Sequence, residues 1–256
     1  DRIGPLKPLL QLAATMGRHF DFDLLCACLE RPQGEVGQEL AALGQAGLVI
    51  ADERAGPGAY MFRHALIRDT AYECMLVSQR RLLHRDVALA LMQHQPQRVA
   101  AEPAGVAQHW ADAGDHAQAV ALAVRQLRIT QLRSLNDDTI GYARDIDDWL
   151  QQLEGVAQRE ARLDVNSYET QALMNKHGWA HAQVVESIAL SQELLAGERV
   201  SRYVPGVLGE QVLGQLRETS QLELQAQRAD RFRVDRWRPR RRFAAALRLL
   251  GEERAR

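Results

Sequence analysis

Lysine is nearly missing from this 256-residue chain: Lys7 and Lys176 stand against 30 arginines. That bias reads as the base composition of a GC-rich gene rather than as function. Cysteine is scarce as well. Cys26, Cys28 and Cys74 are too few and too irregularly spaced for a disulfide framework, and a C-x-C step with no second pair or nearby histidine pair is a poor zinc pattern. They read as small apolar residues on helix faces, in a reducing compartment. No apolar run approaches the roughly 20 residues of a membrane helix, and the start lacks the short apolar core of a signal peptide, so no membrane span and a cytoplasmic location are expected. Net charge is missing too. With 32 basic and 33 acidic residues the sum is −1, which removes any global basic field for nucleic acid or acidic lipid. Residues 228–256 nevertheless hold 11 arginines against four acids, a local +7, which leaves −8 on the first 227.

Catalytic signatures are lacking. There is no G-x-x-x-x-G-K phosphate loop, no G-x-G-x-x-G after a strand, no H-E-x-x-H and no G-x-S-x-G. This segment is therefore not expected to be an enzyme by itself. His177 and His181 are four residues apart, but Gly178 intervenes and no third ligand is in view, so a partly exposed pair is favoured over a metal site. Asp145, Asp147 and Asp148 lack the ligand spacing and turn glycine of a calcium loop and read as a solvated helix face.

What is present is helical patterning. At 46% hydrophobic and 25% charged, the chain is ordinary globular material for one large domain or two smaller ones. Apolar residues recur at helical spacing from Leu6 to Met16, with Pro5 suited to a first turn and Gly17 to a stop. Asp21 suits the cap of a second helix, with Leu24, Leu25, Cys28 and Leu29 inward, ending before Pro32. Glu35 to Gln45 gives a third, with Val36, Leu40 and Leu43 as its stripe. The period then changes. Leu48-Val49-Ile50 and Tyr60-Met61-Phe62 flank a Gly/Pro-rich connector and predict a hairpin. Three helices followed by a two-stranded wing describe a winged helix.

A helix is expected near His64, lined by Leu66, Ile67, Thr70, Ala71, Cys74 and Met75, and another capped by Ser78 that carries Leu82, Leu83, Val87 and Leu91. Beyond them, helices are expected around Trp110 and Leu122 on either side of Gly114-Asp115, then over 136–153, 157–174, 180–195 and 207–228. Such pairs suggest stacked helical repeats, with too loose a period to fix a repeat length. Past Arg228 the pattern fails. A short amphipathic helix at 243–250 follows the R-W-R-P-R-R-R run, and a linker or a shifted reading frame is favoured there over specific binding.

The informative block is F-R-H-A-L-I-R-D-T-A-Y at 62–72 with R-R-L-L-H at 80–84. Arg63 and His64 sit where a strand passes into a helix, and a helix N-terminus offers amides and a positive dipole end to a phosphate. The local alternative, that His64 caps the helix and Arg63 pairs with an acid, is favoured by spacing alone. A neutral histidine near physiological pH also suits a sensor.

These residues resemble the winged-helix segment that follows the nucleotide-binding domain in STAND-type signalling ATPases, especially those fused to class III adenylate or guanylate cyclases or to serine/threonine kinases. L-L-Q-L-A-A-T-M-G-R-H-F-D at 9–21 and L-A-A-L-G-Q-A-G-L-V at 40–49 match the same pattern. V-A-Q-H-W-A-D-A-G-D-H-A-Q-A-V at 106–120 is similar to the tetratricopeptide-like repeats that follow it. The likeness covers about residues 1–230 and is strongest over 5–125.

The resemblance implies a mainly α chain: a winged-helix regulatory domain over 1–95 with a small β-hairpin wing, tetratricopeptide-like repeats over 96–230, and an Arg-rich tail over 231–256. It implies a fragment of a larger regulator, in which an upstream ATPase domain binds ATP or ADP with Mg, the repeats hold a protein or peptide partner, and an attached cyclase or kinase reads the state. In related receptors a Met-His-Asp motif lets its histidine touch the β-phosphate of ADP. His64 occupies the matching place, with Arg63 before it and Ala65 where those receptors have Asp. Two rival readings are a winged-helix transcription regulator and a stand-alone repeat scaffold. Against DNA, the third helix carries two glutamates and no lysine or arginine.

Overall fold

Why the chain reverses at Gly17 explains much of the first half. In the computed structural model, which describes residues 4–196, α1 (Lys7–Met16) places Pro8 in its first turn and buries Leu9, Leu10, Leu12, Ala13 and Ala14. Gly17 then takes φ 128°, a conformation L side chains rarely adopt, and turns the chain into β1 (His19–Asp21). The Asp21 carboxylate accepts from the Leu24 amide at 2.9 Å and caps α2 (Phe22–Leu29), as its position predicts. After Pro32 comes α3 (Gln33–Gln45), whose stripe of Val36, Leu40 and Leu43 is buried as expected.

The expected hairpin forms as β2 (Val49–Ala51) and β3 (Ala59–Phe62), but the sheet has three strands. β3 is central, with antiparallel partners on both sides: Phe20 opposite Tyr60 on β1, and Ile50 opposite Met61 on β2. Phe20 packs against Tyr60 and Phe62 with ring centroids 6.0 and 5.5 Å apart, which closes the sheet over α1 and α2.

Next come α4 (Ala65–Glu73), α5 (Val77–His94), α6 (Pro96–Ala101), α7 (Pro103–Ala113) and α8 (His116–Leu132). Two details differ from expectation. The predicted inward face of α4 is covered only in part: Ile67 and Ala71 pack half-buried against the core and Met75, just past the helix, is buried, whereas Leu66 is 75% exposed. Ser78 does not cap α5, because Leu76 holds the cap position with no side-chain bond, and Leu82 points out. Buried Val87, Ala88 and Leu91 of α5 belong to one apolar cluster that runs from Leu9 of α1 to Leu122 of α8. The core is therefore continuous across residue 95.

Gly114, in the left-handed region at φ 87°, ends α7, and Asp115 caps α8 by accepting from the Gln118 amide at 3.1 Å. The helix expected over 136–153 is broken into α9 (Asn136–Asp145) and α10 (Asp147–Gln151) at Ile146, a fully buried anchor in a second apolar cluster with Leu127 and Leu150. α11 (Gly155–His177) and α12 (Ala182–Ala196) follow. They are joined by a buried polar ladder, in which the Asn166 amide donates to the Ser187 carbonyl at 2.8 Å and to Ser191 Oγ at 2.7 Å. The described residues all lie within one compact unit. The helices expected at 207–228 and 243–250 and the Arg-rich tail lie outside the described residues.

Candidate functional site

α4 carries the residues of interest at both ends. At its start, His64 is extended (φ −133°, ψ 139°), while the Arg63 amide donates to the Leu48 carbonyl at 3.1 Å and anchors the junction to the sheet. Both side chains are exposed. His64 sits in the cap position yet makes no capping bond, and Arg63 enters no ion pair among the described residues. Neither half of the local alternative is realised. The first amides of a helix have no intrahelical partner, so this corner presents N–H groups, a guanidinium and an imidazole together.

Beside it runs an apolar groove of about 410 Å³ between α1 and α4, walled by Leu10, Leu48, Leu66, Ile67, Ala71 and Cys74. It is the uncovered part of the predicted inward face of α4.

The far end of α4 lies about 12 Å along its axis, at 1.5 Å per residue. Here Tyr72 Oη pairs with His84 Nε2 of α5 at 2.8 Å, and His84 Nδ1 pairs with His109 Nδ1 of α7 at 2.9 Å. Arg68 and Arg80 lie over the Tyr72 ring, 5.0 and 5.2 Å from its centroid, and Arg68 also donates to the Ala14 carbonyl of α1 at 3.1 Å. Four helices meet in this junction.

Burial, with Arg68 and Arg80 close by, pushes the His84 imidazole down to about 4. Burial and the His84 ring likewise push His109 down to about 4, against the opposing pull of Asp112. The Asp112 carboxylate is 3.7 Å from His84 Nδ1, but with both rings neutral near pH 7 this is not an ion pair. Each neutral ring has one N–H, so one Nδ1 donates and the other accepts. If His84 donates there, its Nε2 accepts from the Tyr72 hydroxyl, and His109 carries its proton on Nε2. If His109 donates, His84 Nε2–H donates to Tyr72. The three groups switch together.

This chain of contacts was not picked out from the sequence, although Tyr72 and His84 stand in the blocks at 62–72 and 80–84, and His109 in the block at 106–120. The available signal was a histidine on an otherwise apolar face, which spacing cannot distinguish from a solvated one. His177 and His181 do meet, with ring centroids 4.4 Å apart, but across the turn between α11 and α12 rather than along one helix. No group of three metal-ligating side chains occurs among the described residues, and no described helix is long and apolar enough to cross a membrane. The Asp145 to Asp148 region is a helix break, where Arg162 donates to Asp147 at 2.5 Å. All three cysteines are free, Cys26 buried and Cys74 exposed.

No family model and no solved structure matches the chain. It is similar to an uncharacterized protein of Rhizobium meliloti (strain 1021), 28% identical over 134 residues. That match covers 52% of this chain and 13% of the relative's length.

Proposed function

We propose that the chain is the regulatory segment of a multidomain signal-transducing ATPase of the STAND type, joining the nucleotide state of an upstream ATPase domain to partner binding by its helical pairs and to a cyclase or kinase effector. One observation carries the reading: Arg63 and His64 stand exposed, without cap or acid partner, at the N-terminus of α4. The element order α1-β1-α2-α3-β2-β3, a helix, a short strand, two helices and a hairpin, supports a winged helix for this half. The helical pairs from α7 onward support tetratricopeptide-like repeats.

On this reading His64 and Arg63 meet the β-phosphate of ADP held by the upstream domain, and the Mg ligands and hydrolytic groups belong to that domain. The apolar groove between α1 and α4 gives the same domain a surface to rest on. The segment itself is not an enzyme and acts in the cytoplasm. DNA recognition through α3 is disfavoured, because its Glu35 and Glu39 are its charged groups and Arg31, just before the helix, pairs with both.

A nucleotide shifts a closed–open equilibrium only by its differential affinity for the two states. Loss of a charged phosphate contact of about 1.5–3 kcal/mol changes that ratio roughly ten- to a hundred-fold. His64→Ala in the full-length parent is expected to lower the ADP that co-purifies with it and to raise basal effector output. Unchanged nucleotide content together with unchanged output overturns the reading.

A further inference from the structure

A cavity of about 730 Å³ lies between β1, α5, α6, α7 and α8, away from the Arg63–His64 corner. Its size is that of pockets that enclose small organic ligands. Phe20, Val87 and Leu91 form an apolar wall from the sheet and α5. The opposite wall is polar and includes Arg98, His109, Gln126 and Arg133. His109 uses Nδ1 toward His84, and its Nε2 makes no hydrogen bond among the described residues.

Charge on the lining points to an anion. Arg98 and Arg133 both line the cavity, and neither forms an ion pair among the described residues; Arg98 reaches only the Gln95 amide oxygen, at 3.1 Å. Of the two carboxylates on the lining, Asp21 is engaged as the cap of α2, and Glu102 pairs with neither arginine. Two guanidiniums without an ion pair among the described residues, facing an apolar wall, define a complementary molecule.

We propose that this cavity is a binding site for a small amphiphilic carboxylate, whose anionic end meets Arg98 and Arg133 and whose apolar body lies against Phe20, Val87 and Leu91. The proposal does not depend on the nucleotide reading, since none of these residues lies at the α4 corner. It gives the helical half a chemical ligand in addition to any protein partner. Bound carboxylate also meets the Tyr72–His84–His109 chain through His109, the member that lines the cavity.

The test uses the full 256-residue chain with octanoate, octylamine and octanol as probes, followed by calorimetry. Saturable octanoate binding is expected, with octylamine binding at least tenfold weaker and octanol in between. Arg98 and Arg133 are both exposed, so their replacement leaves folding intact, and the double variant Arg98→Ala/Arg133→Ala is expected to weaken octanoate at least tenfold. Ala104→Trp, which fills the cavity, is expected to do the same, while Val156→Ser, at an exposed position of α11 outside the cavity, leaves affinity unchanged. If Ala104→Trp fails to fold by circular dichroism, the arginine pair decides. No saturable octanoate binding, equal affinity for octylamine, or full affinity in the arginine variant overturns the proposal.

Discussion

The two ends of α4 are built on opposite principles. At the N-terminus, the Arg63 and His64 side chains are exposed and make no hydrogen bond or ion pair among the described residues. At the C-terminus, Tyr72 is fixed in a buried hydrogen-bond chain to His84 and His109 and is flanked by Arg68 and Arg80. The engaged end ties the helix to α5 and α7.

The comparison breaks most visibly at the engaged end. His84→Leu leaves the Tyr72 hydroxyl and His109 Nδ1 without partners in the interior, and unfolding in urea is expected to show a loss of about 3 kcal/mol. A loss below about 1 kcal/mol would mean that the junction does not bind α4 to α5 and α7.

Acid probes the same end. His84 and His109 titrate at about 4 in the folded chain, below their ordinary 6.5, so folding favours the neutral rings. That stability is fully present above 6.5 and is lost as the pH falls from 6.5 toward 4, because the unfolded chain takes up protons first. One such ring contributes a loss of about 2 kcal/mol by pH 5. The double variant His84→Phe/His109→Phe is expected to flatten that part of the stability–pH curve. The charged groups around the pair are Arg68 on α4, Arg80 on α5 and Asp112 on α7, and all three remain in that variant. An unchanged slope would assign the acid sensitivity elsewhere.

The smallest effect on stability belongs to the unengaged end. Arg63→Ala and His64→Ala remove exposed side chains without partners, and each is expected to stay within about 0.5 kcal/mol of the parent chain in the same urea experiment. A larger loss would show that this corner has a structural role.

How far the sequence could be read depended on what kind of signal an element carries. Asp21 before Leu24, the Val36-Leu40-Leu43 stripe and the Gly114-Asp115 turn are short-range features with a local cause, and each stands where its spacing places it. β1 was missed because three residues between Gly17 and a helix cap have no room for alternation; pairing with β3 makes them a strand. The 136–153 segment has a continuous helical period, but the chain leaves helical geometry at the buried Ile146 (φ −90°, ψ 3°), a local break that period alone does not reveal. For α4, periodicity identifies an apolar face correctly, and Ile67 and Ala71 do pack on the core, but it carries no information on how far neighbouring elements reach to cover Leu66 and Cys74. The site divides in the same way. Arg63 and His64 were visible from their place between strand and helix, whereas the meeting of Tyr72, His84 and His109 depends on packing among helices up to 37 residues apart in the chain.

The central claim is that the exposed corner of α4 holds a nucleotide phosphate and contributes nothing to folding. The most direct measurement is the dissociation rate of labelled ADP from the full-length parent carrying Arg63→Ala/His64→Ala, with its urea unfolding curve recorded alongside. The account predicts that ADP leaves roughly ten to a hundred times faster while the unfolding midpoint is unchanged. An unaltered ADP dissociation rate in the folded double variant would contradict it.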